Sequence, residues 1–453
     1  MTRPNILFIL SDQQRWDTVG AYGEPLGTEL NLTPNLDTMA QQGVLFRNAF
    51  TCQPVCGPAR ACLQTGLYAT ANGCITNSFS LKPDAVTIAD CMHNAGYETG
   101  YIGKWHLASN THTSSDPSEN FHTRAIPQER RGGYRDHWLA AELLEFTSHG
   151  YEGYLFDGDN RRVDFEGYRV DAMTNYVLDY LRSYATQKED RPFFLFTSYI
   201  EPHHQNDLNR YVGPIGSKQR FAQYPIPGDL DGAEGDWKEH LPDYLGCCWS
   251  LDQNLGRIRT ELELLGLSEN TIVIYTSDHG SHFRTRNGEY KRSCHESSIH
   301  VPMIAYGPGF SGGKTIDELV SLIDLPPTVL TAGGATVPDL MQGRALQPLV
   351  DGTATDWPEE VFVQISESQT GRAIRTARWK YNVFAPDAEP RATGSDRYVE
   401  EFLYDLEADP HERHNLVHDP AHKGIRAELA ARLKRRMAEV GESEPEIVAA
   451  ESA

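Results

Sequence analysis

Three uninterrupted apolar runs do most to restrict what this chain can fold into. They are residues 5–10 (NILFIL), 193–200 (FFLFTSYI) and 271–277 (TIVIYTS). None alternates apolar with polar residues, so each reads as a strand buried on both faces, as in a parallel α/β sheet. Each also ends abruptly in polar side chains: Ser11-Asp12-Gln13-Gln14, Glu201-Pro202-His203-His204 and Asp278-His279-Gly280. A shorter run, 98–102, leads into Gly103-Lys104-Trp105-His106 in the same way. Ligands of open α/β sheets collect outside the carboxyl ends of the strands. Parallel strands would therefore deliver Asp12, Lys104, His106, His203, Asp278 and His279 to one edge.

A second feature stands apart from these strands. Residues 48–67 read NAFTCQPVCGPARACLQTGL. Pro58 suits the first position of a helix, where its missing N–H costs nothing. Cys56 then sits just before a helix N-terminus, where free N–H groups favour an anion, and Arg60 reaches back toward it. The residues alone admit two readings: a reactive cysteine beside an anion pocket, or a buried structural cysteine near a turn.

The remaining pattern supplies helices and a second unit. Thr33-Pro34 opens a helix that buries Leu36, Met39 and Ala40. Residues 86–95, 171–184 and 244–265 also read as helices, the last with an apolar stripe through Tyr244, Cys248, Leu251, Leu255, Ile258 and Leu262. Neighbouring helical residues do not share a face, so Cys247-Cys248 reads as packing. Two stretches, 107–170 and 209–242, read as irregular insertions, the first a lid or substrate rim. Beyond a linker at 351–358, VFVQIS, GRAIRTARWKYNVF and EFLYDL predict a small antiparallel sheet closed by a helix over 425–440. This divides the chain into a catalytic unit, 1–355, and a smaller C-terminal unit, 356–453. At 453 residues the chain can bury a large core.

The net charge is −22. That balance excludes a nucleic-acid partner, and a pocket for an anionic substrate must be locally basic against it. The eight cysteines show no disulfide or zinc spacing. No stretch approaches membrane-spanning length, and 6–10 is too short for a signal-peptide core. These features predict a cytoplasmic protein, although a chain trimmed after a secretory signal would read the same way.

Cys56-Gly57-Pro58-Ala59-Arg60, with Leu63-Gln64-Thr65-Gly66 after it, resembles the signature of the type I, formylglycine-dependent sulfatases of the alkaline phosphatase-like superfamily. The rest of the chain resembles that family in order. Asp12-Gln13 stands where many members carry Asp-Asp, and 33–37 reads TPNLD. Gly103-Lys104-Trp105-His106 looks like a recurring sulfatase segment, Pro202-His203 like the family's Pro-His step, and Asp278-His279 like its second metal element. Lys291 matches a lysine set against sulfate and leaving-group oxygens. Residues 300–304 look like the strand that closes the large sheet, 316–331 like a helical region, and 401–415 like the C-terminal segment. The resemblance implies a large, mixed, mostly parallel sheet sandwiched by helices.

It also implies function. Cys56 would be oxidised to Cα-formylglycine by a separate maturation enzyme. Asp12, Gln13, Asp278, His279 and residue 56 would hold a divalent cation; oxygen donors suit Ca²⁺, and Mg²⁺ or Mn²⁺ stays open. One hydroxyl of the hydrated aldehyde would attack sulfur. Lys291 and His203 would serve the departing oxygen, His106 would take a proton from the second hydroxyl to expel sulfate, and Arg60 and Lys104 would hold nucleophile and sulfate. His204 would lie at the rim or just behind the catalytic groups, with Asn206 and Asp207 meeting substrate hydroxyls. Trp138, Tyr151, Tyr154 and Trp237, in or beside the insertions, suit a sugar pocket, so the expected substrate is a sulfated mono- or oligosaccharide. A phosphonate monoester or phosphodiester hydrolase, an arylsulfatase, or a fold that only binds an anion are the alternatives; the oligomeric state is not legible.

Overall fold

The computed structural model describes residues 3–23, 31–111, 114–187 and 191–450. Ten strands form one sheet: β1 (Asn5–Ser11), β2 (Val44–Phe50), β3 (Glu98–Lys104), β4 (His137–Ala141), β5 (Glu152–Asp157), β6 (Arg162–Glu166), β7 (Phe193–Ser198), β8 (Thr271–Ser277), β9 (Met303–Tyr306) and β10 (Lys314–Ser321). Their order is β10-β2-β9-β8-β1-β7-β3-β4-β5-β6. The three apolar runs lie side by side at its centre. β1 is parallel to β7 on one side and to β8 on the other, and β3 continues beyond β7 in the same sense.

Burial on both faces explains the unbroken hydrophobicity. Ile6, Phe8, Phe194, Phe196, Ile272 and Ile274 belong to one core. Leu7, Ile9, Phe193, Leu195, Val273 and Tyr275 belong to the core on the other side. Phe8 stacks on Phe196 at 4.5 Å, and Tyr101 continues the stack at 5.3 Å. The helices Arg169–Thr186 and Trp237–Leu264 cover the second face through Val177, Leu181, Leu251 and Leu255.

A second sheet comprises β11 (Glu360–Ile365), β12 (Gly371–Thr376), β13 (Trp379–Phe384), β14 (Arg397–Asp405) and β15 (Glu446–Val448). Its first four strands are antiparallel; β15 adds to the edge in parallel. The helix Lys423–Glu439 packs Leu429, Leu433 and Met437 into a core shared with Cys52, Cys62 and Tyr68 of the first unit.

Several local expectations are corrected. The stretch 107–170 is not merely an irregular lid: β4 extends the parallel sheet, and β5–β6 form a hairpin whose turn carries Asn160 at φ 64°. The Asp157-Gly158-Asp159-Asn160 turn between two alternating segments was the available signal. The long helix begins at Trp237, not Tyr244: it runs through Pro242, which forgoes one backbone hydrogen bond to the carbonyl of Lys238. Residues 303–306 do not close the sheet; β9 is antiparallel and lies between β2 and β8. The span 316–331 is divided between β10 and the helix Leu325–Ala332.

Candidate active site

Asp12 follows β1 and Asp278 follows β8, whose last residues Ser11 and Ser277 are register partners. The two carboxylates therefore meet. Gln13 N donates to Asp278 Oδ1 (3.1 Å) and holds the two chain ends together. Lys104 ends β3, and its Nζ lies 2.8 Å from Asp12 Oδ2. That approach needs glycine at 103, which has φ 111° and would place a Cβ 2.0 Å from Ser198 O.

The nucleophile segment enters from its own helix, Cys56–Thr65. The helix starts two residues earlier than Pro58 suggests, so Cys56 occupies its first turn rather than preceding it. Gly57 N donates to Asn77 Oδ1 at 2.9 Å. Cys56 is 1% exposed. Its Sγ accepts from Lys291 Nζ (2.8 Å) and lies 3.2 Å from His279 Nε2 and 3.4 Å from Asp12 Oδ1. One turn on, Arg60 joins Asp12 Oδ2 (3.0 Å), Asp278 Oδ2 (3.3 Å) and Ser198 Oγ (2.6 Å).

Two imidazoles have their tautomers set by backbone carbonyls. His279 Nδ1 donates to Gly280 O (2.9 Å), leaving the Nε2 lone pair facing Cys56, Asp12 and Asp278. His203 Nδ1 donates to His204 O (2.6 Å), so its Nε2 accepts from Lys291 Nζ at 3.1 Å. Burial, with the neighbouring lysines, holds His106, His203 and His279 well below the usual histidine range. All three are neutral. His106, at φ 61°, lines the same cavity as Cys56, with Nδ1 unpartnered.

The carboxylates diverge. Burial opposes ionisation of Asp12, but the Lys104 and Arg60 cations outweigh it and hold its carboxyl well below the usual range. Asp278 is pushed up to about 7, first by burial and then by the charge of Asp12. Burial and the same aspartate push the Cys56 thiol up to about 12. An unmodified Cys56 is thus a poor nucleophile here.

A divalent cation fits this donor set. One ligand atom each from Asp12, Cys56, Asp278 and His279 lie within 4.8 Å of one another, all buried. Gln13 turns its Nε2 to Tyr211 and Ser281, and its buried Oε1 has no partner; Asp278 Oδ2 has only the ion pair with Arg60. A hard cation satisfies both oxygens and relieves the carboxylate repulsion that raises Asp278.

A cavity of about 280 Å³ opens over Cys56, lined by His106, His203, Lys291, Arg284 and Arg292 among others. The basic pocket required by an anionic substrate exists inside an acidic protein. No motif or pattern marks Glu145, Asn77 or Arg292 as lining residues; Tyr290 is visible only as the neighbour of Lys291. His204, expected at the rim or just behind the catalytic groups, takes the second place: it is buried in this wall, with Nδ1 on Asn206. Asn206 lines the cavity, whereas Asp207 pairs with His149 at 2.7 Å. Trp138 and Trp237 are core residues, so they do not form a sugar pocket.

A family model described as "Sulfatase" matches residues 4–335. The chain belongs to the sulfatase family. It is of the formylglycine-dependent, alkaline phosphatase-like kind, and its enzymatic reaction is sulfate ester hydrolysis. A second model, described as the C-terminal part of N-sulphoglucosamine sulphohydrolase, matches residues 288–439 of this sulfatase. An ulvan-active sulfatase from Formosa agariphila is 30% identical, over 97% of this sulfatase and 82% of that relative. A solved structure from a study of multiple-glycosaminoglycan metabolism by Bacteroides thetaiotaomicron superposes with a TM-score of 0.83 at 24% identity, covering 97% of both chains. A phosphonate monoester hydrolase of Agrobacterium radiobacter superposes with a TM-score of 0.73 at 23% identity, covering 97% of this sulfatase and 96% of that chain. Both structural matches establish the shared fold.

Proposed function

We propose that this sulfatase releases sulfate from a sulfated carbohydrate, with residue 56 acting as its formylglycine hydrate. The observation that carries the assignment of roles is the Lys291 ammonium, in contact with both Cys56 Sγ (2.8 Å) and His203 Nε2 (3.1 Å). An ammonium donor over the nucleophile, held by an imidazole acceptor, stands where a departing alkoxide develops charge. Lys291 donates to that oxygen, and the neutral His203 orients it and shares its proton. Neutral His106 is the base that accepts a proton from residue 56 as sulfate leaves. Arg60 and Lys104 fix Asp12 and present positive charge to the sulfate oxygens. Asp12, Gln13, Asp278, His279 and residue 56 hold the cation, for which we assign Ca²⁺ ahead of Mg²⁺ or Mn²⁺. When bound, it supplies Lewis-acid neutralisation of the transferring group.

The carbohydrate assignment is supported by the ulvan and glycosaminoglycan context of the relatives and by the polar cavity. Conversion of Cys56 requires a maturation enzyme as partner. The test is product analysis on matured enzyme with sulfated sugars, an aryl sulfate and a phosphonate monoester, with the peptide containing residue 56 weighed in the same sample. Sulfate from a sugar is expected; preferred cleavage of the phosphonate would move the protein to that branch of the fold. Cys56→Ala should abolish turnover, and unchanged turnover would refute the role of residue 56.

A further inference from the structure

The sulfate cavity adjoins a wider one. Glu145 and Asn206 line both it and an adjoining cleft of about 700 Å³. The far wall of that cleft is one face of the β5–β6 hairpin. Five carboxylates line the cleft (Glu145, Glu152, Asp164, Glu166 and Asp207) against Arg162 and His149. Both bases are already engaged: Arg162 is 2.6 Å from Asp164 and lies over the Tyr154 ring at 3.7 Å, and His149 pairs with Asp207. Glu152 and Glu166 are direct cross-strand partners, and among the described residues neither has an ion pair. Like charges placed directly opposite work against the sheet, so nothing in the fold itself calls for them.

An independent feature points to a ligand at the junction. The Glu145 side chain is 7% exposed, and its Oε2 makes no hydrogen bond. Lys104 approaches it from the sulfate side at 3.4 Å. His204 Nε2, also buried and unpartnered, belongs to the same wall. Both are acceptors: Glu145 as a carboxylate, and His204 because its Nδ1 faces Asn206 Oδ1 and carries the proton. Among the described residues Lys104 is the one donor the Glu145 carboxylate faces, at 3.5 Å from Oε1 and 3.4 Å from Oε2, and His204 Nε2 has none; buried acceptors so poorly served are expensive unless a ligand brings further donors. A hydroxyl or ammonium group can do so. A second sulfate or a carboxylate cannot, and it would also meet the unpaired Glu152 and Glu166.

We infer that the cleft receives the part of the substrate beyond its sulfate ester and selects sugars rich in hydroxyl or amino donors, rejecting those with a further anionic group. Glu145 accepts from the sulfated residue itself. This rests on the carbohydrate sulfatase reading above and narrows its substrate class to monosulfated neutral or amino sugars.

The matched probes are glucosamine 6-sulfate and glucosamine 2-N,6-O-disulfate, which differ only by ammonium against sulfamate. Calorimetry on the unconverted Cys56 protein reads binding, and matured enzyme reads turnover of the same pair. The monosulfated sugar is expected to bind roughly tenfold more tightly, a gap that narrows in high salt. In the Glu152→Gln/Glu166→Gln protein the gap should shrink severalfold. Equal or tighter binding of the disulfated sugar overturns the inference, as does binding of neither, or a gap that the double substitution leaves unchanged. Discrimination in binding with no sulfate released from any ester counts against the catalytic reading alone. Sulfate release without discrimination counts against the selectivity alone.

Discussion

Lys291 shows how much chemistry a single side chain position carries. It touches both the nucleophile and His203, so its loss should matter in proportion to how badly the departing alcohol needs a proton. For Lys291→Ala, kcat/KM on a sugar sulfate should fall by about a hundred- to ten-thousandfold. The loss on 4-nitrophenyl sulfate, whose leaving group is stable as an anion, should be far smaller. Equal losses on both would reassign the lysine to sulfate binding. The chain announced this residue, and Asp12, Lys104, His106, His203, Asp278 and His279, because each stands at or near the end of an apolar run or in a recognisable motif. It could not announce Glu145 or Arg292. Neither belongs to a pattern: Glu145 reaches the cavity from the one-turn helix Leu144–Thr147, and Arg292 from a loop. The tautomers of His203 and His279 were equally hidden, since they depend on the carbonyls of His204 and Gly280.

Among the elements, central strands were legible because burial on both faces forces unbroken hydrophobicity, as in β1, β7 and β8. The β5–β6 hairpin was not, since one face is wet and its alternation is diluted by charge. Helix ends were blurred by prolines that the helices absorb, Pro58 and Pro242. One helix junction carries a pH signature. Asp252, on the long helix, accepts from Asn35 N (3.0 Å) and Leu36 N (2.8 Å) at the start of the helix Pro34–Gln42. Burial nevertheless pushes its carboxyl up to about 6. A raised acid pKa means that the folded protein holds a proton which the unfolded chain has already released. The favourable contribution is therefore present at acid pH and is lost as pH rises toward 6, about 3 kcal/mol in all. Asp252→Asn removes that titration. Thermal unfolding should show its Tm improving relative to the parent between pH 4 and pH 7, and a constant difference would contradict the shift.

For the whole molecule, the site is where separate parts of the fold are tied together. A cation held by the Asp12, Asp278, His279 and Cys56 cluster would join the sheet to the nucleophile helix. Chelation should lower the Tm, and resupply at a hundredfold excess over Kd should restore about 2.7 kcal/mol of stability. A Tm indifferent to chelator and cation would show that the Asp12–Asp278 cluster holds no metal. The segment bearing Lys291 is secured elsewhere: Lys380, on β13, pairs with Glu296 (2.7 Å) and Glu412 (2.5 Å), so the second sheet braces the first unit's site. The burial of Cys56 then acquires a timetable. His279, against which Cys56 packs, is 223 residues further along the chain. At about 5–20 residues per second, a ribosome needs roughly ten to forty-five seconds to add them. During that interval the thiol has no wall around it. Any enzyme that converts it works against the clock of translation, and chains that fold first carry a sealed, inert cysteine into their finished form.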